Sequence, residues 1–196
     1  TNENSYITDI RKIFINDNGI FILDGFKQVL HFDRTGKYIK QFNSIGKGPG
    51  EWVEIFDFDM DDTNIIIRSQ HKELTYSING EFIEEVPNKN SAQEFVRIDN
   101  KTKAYYCSQG FNNSHNVLIK KESKKENYHI KTIGALKGYE FKSRYSRIFC
   151  QTQMGFIFVK AFNDTIYQLN STFPFSPKYR IDFGAKRYPV EKLKNA

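Results

Sequence analysis

Short apolar runs alternate with turn-forming residues along this chain, and the runs come in sets of four. Ile20-Phe21-Ile22-Leu23 is followed by Val29-Leu30-His31-Phe32, a turn at Thr35-Gly36-Lys37, and Tyr38-Ile39-Lys40. Ile65-Ile66-Ile67-Arg68 is followed in the same way by Leu74-Thr75-Tyr76-Ser77, a turn at Asn79-Gly80-Glu81, and Phe82-Ile83-Glu84. Laying Asp24 on Arg68 and Gly36 on Gly80 superposes the two sets at an offset of 44 residues. Brief apolar runs bounded by turn residues predict strands rather than helices. A unit of four short strands recurring every ~40–45 residues predicts a β-propeller blade.

Four such units are legible, over residues 10–46, 55–87, 94–133 and 146–183. The first opens with the inner strand Lys12-Ile13-Phe14-Ile15 and the turn Asn16-Asp17-Asn18-Gly19. The last closes with the outer strand Tyr179-Arg180-Ile181-Asp182-Phe183. The fold expected is therefore all-β: a β-propeller of antiparallel four-stranded blades, about four in this chain, with residues 1–196 as a single partial propeller. Gly36 and Gly80 are expected at positive φ, where glycine meets little steric cost. The second strands are continuous apolar runs, as expected for strands covered on both faces. Helical spacing is confined to the tail, where Pro189 precedes Val190-Glu191-Lys192-Leu193-Lys194.

Composition changes this picture little. Eighteen Phe and eleven Tyr against five Pro and two Met favour strands. No run approaches the ~18 apolar residues of a transmembrane helix, so no transmembrane segment is expected. Residue 1 is Thr and no leader precedes it, which reads as a processed or trimmed chain. A net charge of +6 fits an acidic partner or a lysine-rich solvated surface. The densest basic run, Lys120-Lys121-Glu122-Ser123-Lys124-Lys125-Glu126, reads as a hairpin tip. It has no aromatic residues interleaved with its basic ones, so nucleic acid is not an expected partner. Cys107 and Cys150 fall at non-equivalent places in their units and are expected as two free buried thiols.

The loop Ile45-Gly46-Lys47-Gly48-Pro49-Gly50-Glu51-Trp52 carries a more specific signal. With Phe32-Asp33-Arg34-Thr35-Gly36-Lys37 before it and Asp57-Phe58-Asp59 after it, it resembles the NHL-like six-bladed β-propellers exported by Bacteroidetes. Asn163-Asp164-Thr165-Ile166-Tyr167 and Ile181-Asp182-Phe183-Gly184 resemble later landmarks of that family. The resemblance implies export, to the periplasm or a surface anchor, but no reaction. It also implies about six blades where this chain shows about four, so these blades are expected to belong to a larger ring. Unpaired blade edges would then favour self-association.

The same loop could cradle a phosphate through its glycine N–H groups with help from Lys47, or it could be a stiff inter-blade crossing. It is not a Walker motif, since no Gly-Lys-Ser/Thr opens a helix. Trp52, the single tryptophan, could face a ligand groove or plug the space between blades. Arg97 and Arg147 could line a central channel or pair with neighbouring carboxylates. Lys47, Glu51, Trp52, Arg97 and Arg147 are thus the candidate ligand-binding residues. Asp57-Phe58-Asp59-Met60-Asp61-Asp62 departs from a calcium loop, having Asp62 and Arg68 where Gly and Glu belong. Asp57 and Asp59 remain candidate metal ligands at a propeller hub. No cofactor is expected; calcium is the metal the pattern admits. His31, His71, His115 and His129 show no metal-ligand spacing. The function expected is a non-catalytic scaffold that binds a peptide, protein or glycan on one face. The alternative is a metal-assisted hub enzyme, a lyase or lactone hydrolase.

Overall fold

A computed structural model describes residues 6–25, 27–88, 92–111, 115–121, 124–131, 147–159, 164–170 and 176–186. The chain divides into two compact units, Thr1–Ser91 and Ala92–Ala196. The first unit holds β1 (Ile10–Asn16), β2 (Gly19–Asp24), β3 (Gln28–Phe32) and β4 (Tyr38–Phe42), then β5 (Ile55–Met60), β6 (Asn64–Ser69), β7 (Lys72–Ser77) and β8 (Phe82–Pro87). The second holds β9 (Glu94–Asp99), β10 (Thr102–Phe111), β11 (His115–Lys121) and β12 (Lys124–Lys131), then β13 (Phe149–Thr152), β14 (Gly155–Val159), β15 (Thr165–Leu169) and β16 (Ser176–Arg180). Each set of four forms its own antiparallel sheet, in sequence order. The protein is all-β, built of four propeller-type blades. Among the described residues the one helical element is a 3-10 turn at Gly184–Lys186. The tail expected to start a helix lies outside them.

The repeat is visible at the level of single bonds, with a refinement. Ile10 faces Asp24 and Ile13 faces Ile22, while Ile55 faces Ser69 and Phe58 faces Ile67, an offset of 45 residues in the two inner strands. Phe32 faces Tyr38 and Tyr76 faces Phe82, an offset of 44 in the outer two. Asp24 therefore corresponds to Ser69, not to Arg68 as the uniform offset has it. The connection between second and third strands is one residue shorter in the second blade, and this resets the count. Gly36 and Gly80 close the outer hairpins at φ 86° and 87°. Their N–H groups donate to Asp33 O and Ser77 O. Inner turns repeat as well: Asn16 Oδ1 accepts from Asn18 N, and Asp61 Oδ1 accepts from Thr63 N. Both are Asx turns, in which the side chain holds the reversal locally.

Burial of one face of each blade against its neighbour makes the core. In the first unit, Phe21, Leu23, Val29 and Phe42 pack with Ile55, Phe58, Met60, Ile65, Ile67, Leu74 and Tyr76, and Trp52 sits among them. In the second, Val96, Ala104, Val117 and Ile119 pack with Ile148, Phe149, Phe158 and Leu169. Each fully buried side chain of this size contributes about 1.5–3 kcal/mol. Two expectations need correction here. Cys107 is buried, but Cys150 is exposed, because its neighbour Phe149 takes the inward face of β13 and alternation turns Cys150 out. The last outer strand is Ser176–Arg180 rather than 179–183, since Arg180 pairs with Thr165 and Pro177 with Tyr167. Proline is tolerated there because β16 ends its sheet.

One buried pair breaks the apolar pattern. Leu23 faces Val29 in the first blade, and the equivalent positions of the second hold Arg68 and Glu73. Arg68 is fully buried, and its Nη1 donates to Glu73 Oε1 at 2.6 Å. Removing one partner of such a pair strands the other charge in low dielectric, at a cost of about 3–5 kcal/mol. Replacing both by well-packed apolar residues is far less costly. Glu73→Ala is therefore expected to lower stability by about that amount, and Arg68→Leu with Glu73→Val, which copies the first blade, by much less. Urea unfolding of the variants checks the order; a double variant as unstable as Glu73→Ala would contradict it.

Candidate inter-blade loop site

The loop between β4 and β5 is held from beneath by its own backbone. Gly46 N donates to Trp52 O at 2.9 Å, Trp52 N to Ser44 O at 2.9 Å, and Glu51 N to Gly48 O at 3.2 Å. Gly48 N donates to Glu51 Oε2 at 2.8 Å, and Gly50 N to Glu85 Oε2 at 3.0 Å. These N–H groups are engaged inward, so they are not an open cradle for phosphate. Lys72 Nζ completes the clasp, donating to Gly48 O and Glu85 Oε2, both at 2.8 Å. The Lys72 ammonium, and then the Gly50 N–H, hold the Glu85 carboxyl below its ordinary pKa. The Tyr76 hydroxyl donates to Gly50 O, and burial raises its pKa, which keeps it a donor.

A side chain would meet something different at each glycine of the loop: at Gly48 a Cβ would lie 3.0 Å from Glu51 Oε2. Gly50 has φ 72°, and a Cβ there would also press on the Phe82 ring at 3.1 Å. Gly48 does not have positive φ. At Gly46 a Cβ would lie 2.0 Å from Glu51 Oε2, so the carboxylate would have to swing aside. Glu51 is thus half-buried under its own loop, while Lys47 is exposed. Trp52 is 1% exposed, its Nε1 donates to Lys27 O at 2.8 Å, and its ring meets Tyr76 edge-on at 5.8 Å. The plug between blades, not the ligand-facing aromatic, is the conformation this chain adopts. An apolar ring of that size gains most where both blades can cover it.

Asp57 and Asp59 lie two residues apart on β5, hence on one face of the strand, and both are buried. Asp57 Oδ1 accepts from Lys12 Nζ at 3.0 Å and from Phe58 N at 2.9 Å. Lys12 Nζ also donates to Phe58 O at 2.5 Å and stands 5.4 Å from the Phe58 ring centre. Asp59 Oδ1 accepts from Met60 N at 2.9 Å. A calcium ion at Asp57 would have to displace the Lys12 ammonium. Among the described residues no three His, Cys, Asp or Glu side chains converge as a metal site. Lys12 and Asp57 are equivalent positions of the two inner strands, 45 residues apart. That pairing was readable only once the inner-strand offset was known.

The remaining candidates are dispersed. Arg97 is half-buried on β9, and Arg147 is half-buried just before β13. Next to it, Ile148 N donates to Glu94 Oε2 at 3.0 Å. Both arginines belong to the second unit; the loop and the two aspartates belong to the first. His31 stacks on Phe21 at 4.0 Å and its Nε2 donates to Asn18 O at 2.9 Å. Burial lowers its pKa, which disfavours the charged imidazolium. His71 is exposed, and the side chains of His115 and His129 lie outside the described residues.

These features define a β-propeller whose blade-linking loop is tied down by hydrogen bonds from its own backbone and from the next hairpin. The chain belongs to the family described as Domain of unknown function (DUF4934), which matches residues 1–196. A candidate exported protein of Bacteroides fragilis NCTC 9343 has a similar crystal structure, with TM-score 0.76 and 18% identity, over 93% of this chain and 53% of that one. The WD40 domain of Neurospora crassa Pan2 is also similar, with TM-score 0.51 and 14% identity, over 88% of this chain and 49% of that one. At such identities the likeness is one of fold. The chain spans about half the length of either structure. No curated protein matches it. Among the described residues no helix is long and apolar enough to cross a membrane.

The Gly46–Glu51 contact makes a thermodynamic cycle. Gly46→Ala pushes the Glu51 carboxylate off the Gly48 N–H and is expected to cost about 0.5–1.5 kcal/mol, the worth of that hydrogen bond. With Glu51→Ala already present, the obstacle is gone and Gly46→Ala should cost only a few tenths. Thermal melts of the four proteins measure the coupling; strictly additive losses would refute the close-approach account.

Proposed function

We propose that this protein is a non-catalytic β-propeller scaffold that binds a protein or peptide partner on the outer surface of its inter-blade loop. The supporting observation is the loop's construction. It is tied down by Glu51, Glu85, Lys72, Tyr76 and Trp52, yet Ile45, Lys47, Pro49, Val53 and Glu54 are exposed above that base. A surface already held in one conformation loses little entropy on binding, which favours affinity per contact. Its mix of aliphatic, basic and acidic groups suits a polypeptide. A glycan subsite usually stacks on an exposed aromatic, and Trp52 is buried. In this reading the blades belong to a six-bladed, NHL-like ring in an exported protein, held in the periplasm or at the cell surface. The glycine-proline loop and the likeness to a candidate exported protein about twice as long support it.

A photoreactive amino acid placed at Val53 tests this in cells that make the protein natively. The expected result is an adduct of one defined mass, lost on Ile45→Asp without a change in melting temperature. The same probe at the exposed Ile83 of β8 should give no such adduct. No adduct at Val53, or the same adduct at both positions, would contradict the proposal.

A further inference from the structure

The first blade carries an imidazole where the repeat does not require one. His31 of β3 faces Phe21 of β2 and Lys40 of β4. At the equivalent place in the second blade, Thr75 faces Ile66 and Glu84. His31 is 5% exposed, and its ring lies on Phe21 with 4.0 Å between the centres and 14° between the planes. Its two nitrogens are unlike. Nε2 stands 2.9 Å from Asn18 O, and a carbonyl only accepts, so Nε2 carries the hydrogen. Gly19 leaves the ring little slack on that side, since a Cβ there would lie 3.1 Å from Nε2. Nδ1 is therefore the basic atom, and it is buried with no hydrogen-bond partner among the described residues.

Asn18 ties this ring to the next blade. Its main-chain O accepts from His31, and its side-chain Nδ2 donates at 2.8 Å to Asp62 O, in the inner turn of the second blade. We infer that His31 is an acid-sensitive latch between the first two blades: the neutral ring holds the β1–β2 turn against the second blade, and a proton taken by Nδ1 from solvent loosens it. That proton makes a second N–H donor, charged, buried and with no acceptor. The Phe21 face attracts a cation but accepts no such bond. Lys40, on β4, repels the added charge. The Asp33 carboxylate after β3 attracts it, but already accepts from Thr35 N, Thr35 Oγ1 and Lys37 N. In the β1–β2 turn Asp17 pairs with Arg34. In the inner turn of the second blade Asp61 accepts from Thr63 and Asn64, and Asp62 is exposed. Burial, the largest influence, holds the His31 pKa below its ordinary 6.5. Unfolding therefore takes up a proton: the stability His31 contributes is full above 6.5 and is lost as pH falls below it. This inference is independent of the partner proposed for the loop.

Nitrogen-15 spectra of the imidazole and urea unfolding of the 196-residue chain, across the histidine range of about pH 8 to 5, test it. His31 is expected as the Nε2–H tautomer with a midpoint below 6.5. The Asn18 side-chain NH2 signals, which report the bond to Asp62, should shift with the same midpoint. Both readouts need no variant. His31→Gln keeps a donor for Asn18 O but does not titrate. On acidification the wild-type unfolding constant should rise relative to that of His31→Gln, by up to about tenfold per pH unit, the limit for one proton. An Nδ1–H tautomer, a midpoint at or above 6.5, Asn18 signals that ignore the titration, or the same pH dependence in both proteins would each overturn the inference.

Discussion

A four-stranded blade cannot bury an apolar face by itself, and every other feature of this protein answers to that constraint. Phe58, Ile65, Ile67 and Leu74 are dry because Phe21, Leu23, Val29 and Phe42 lie over them. In the second unit, Phe149, Phe158 and Leu169 are dry beneath Val96, Ala104, Val117 and Ile119. Blade and neighbour therefore stabilise each other, as in repeat proteins generally. Trp52 extends the same contact into the connection: the loop that leads from one blade to the next drops its largest side chain between them. The hydrogen bonds around that loop then fix its path.

Charge inside the first unit is arranged to tolerate this packing. Lys12 on one inner strand meets Asp57 on the next, and Arg68 meets Glu73 within a blade. Each cation has a carboxylate within hydrogen-bond reach, which is the condition for ionised groups away from water. Asp24 shows the same logic. Burial pushes its pKa up, but donors from Asp9, Gln28 and Thr8 outweigh that and hold the carboxyl below its ordinary value. Asp57 thus serves as counter-ion to a lysine of the first blade, while Asp59 accepts from the Met60 N–H.

The fold was legible because its signals are local. Hairpin glycines, four-residue apolar runs and a fixed period each act over a few residues, and Gly36 and Gly80 mark their turns unaided. The single-residue change of offset was not legible, since it lies in a connection with no apolar signature. Nor was the exposure of Cys150, which depends on the side of β13 that Phe149 takes. The loop was recognised by its glycines, but its chemistry was not. The group that a Cβ at Gly46 would meet is the carboxylate of Glu51, and the clasp from Lys72 and Glu85 comes from another hairpin. Arg68 could have been noticed as a charge ending an isoleucine run. Its partner Glu73 becomes evident only once the strand register is known.

Native-state hydrogen exchange tests the claim that the two blades of the first unit stabilise one another. Amides of β2 and β3 in the first blade, and of β6 and β7 in the second, would be followed under increasing denaturant. The account predicts one shared opening: the same free energy and the same denaturant dependence for all four strands, because losing either blade exposes the other's core face. If the first blade opened at distinctly lower free energy while β6 and β7 stayed protected, the contact through Trp52 would not be what holds the unit together.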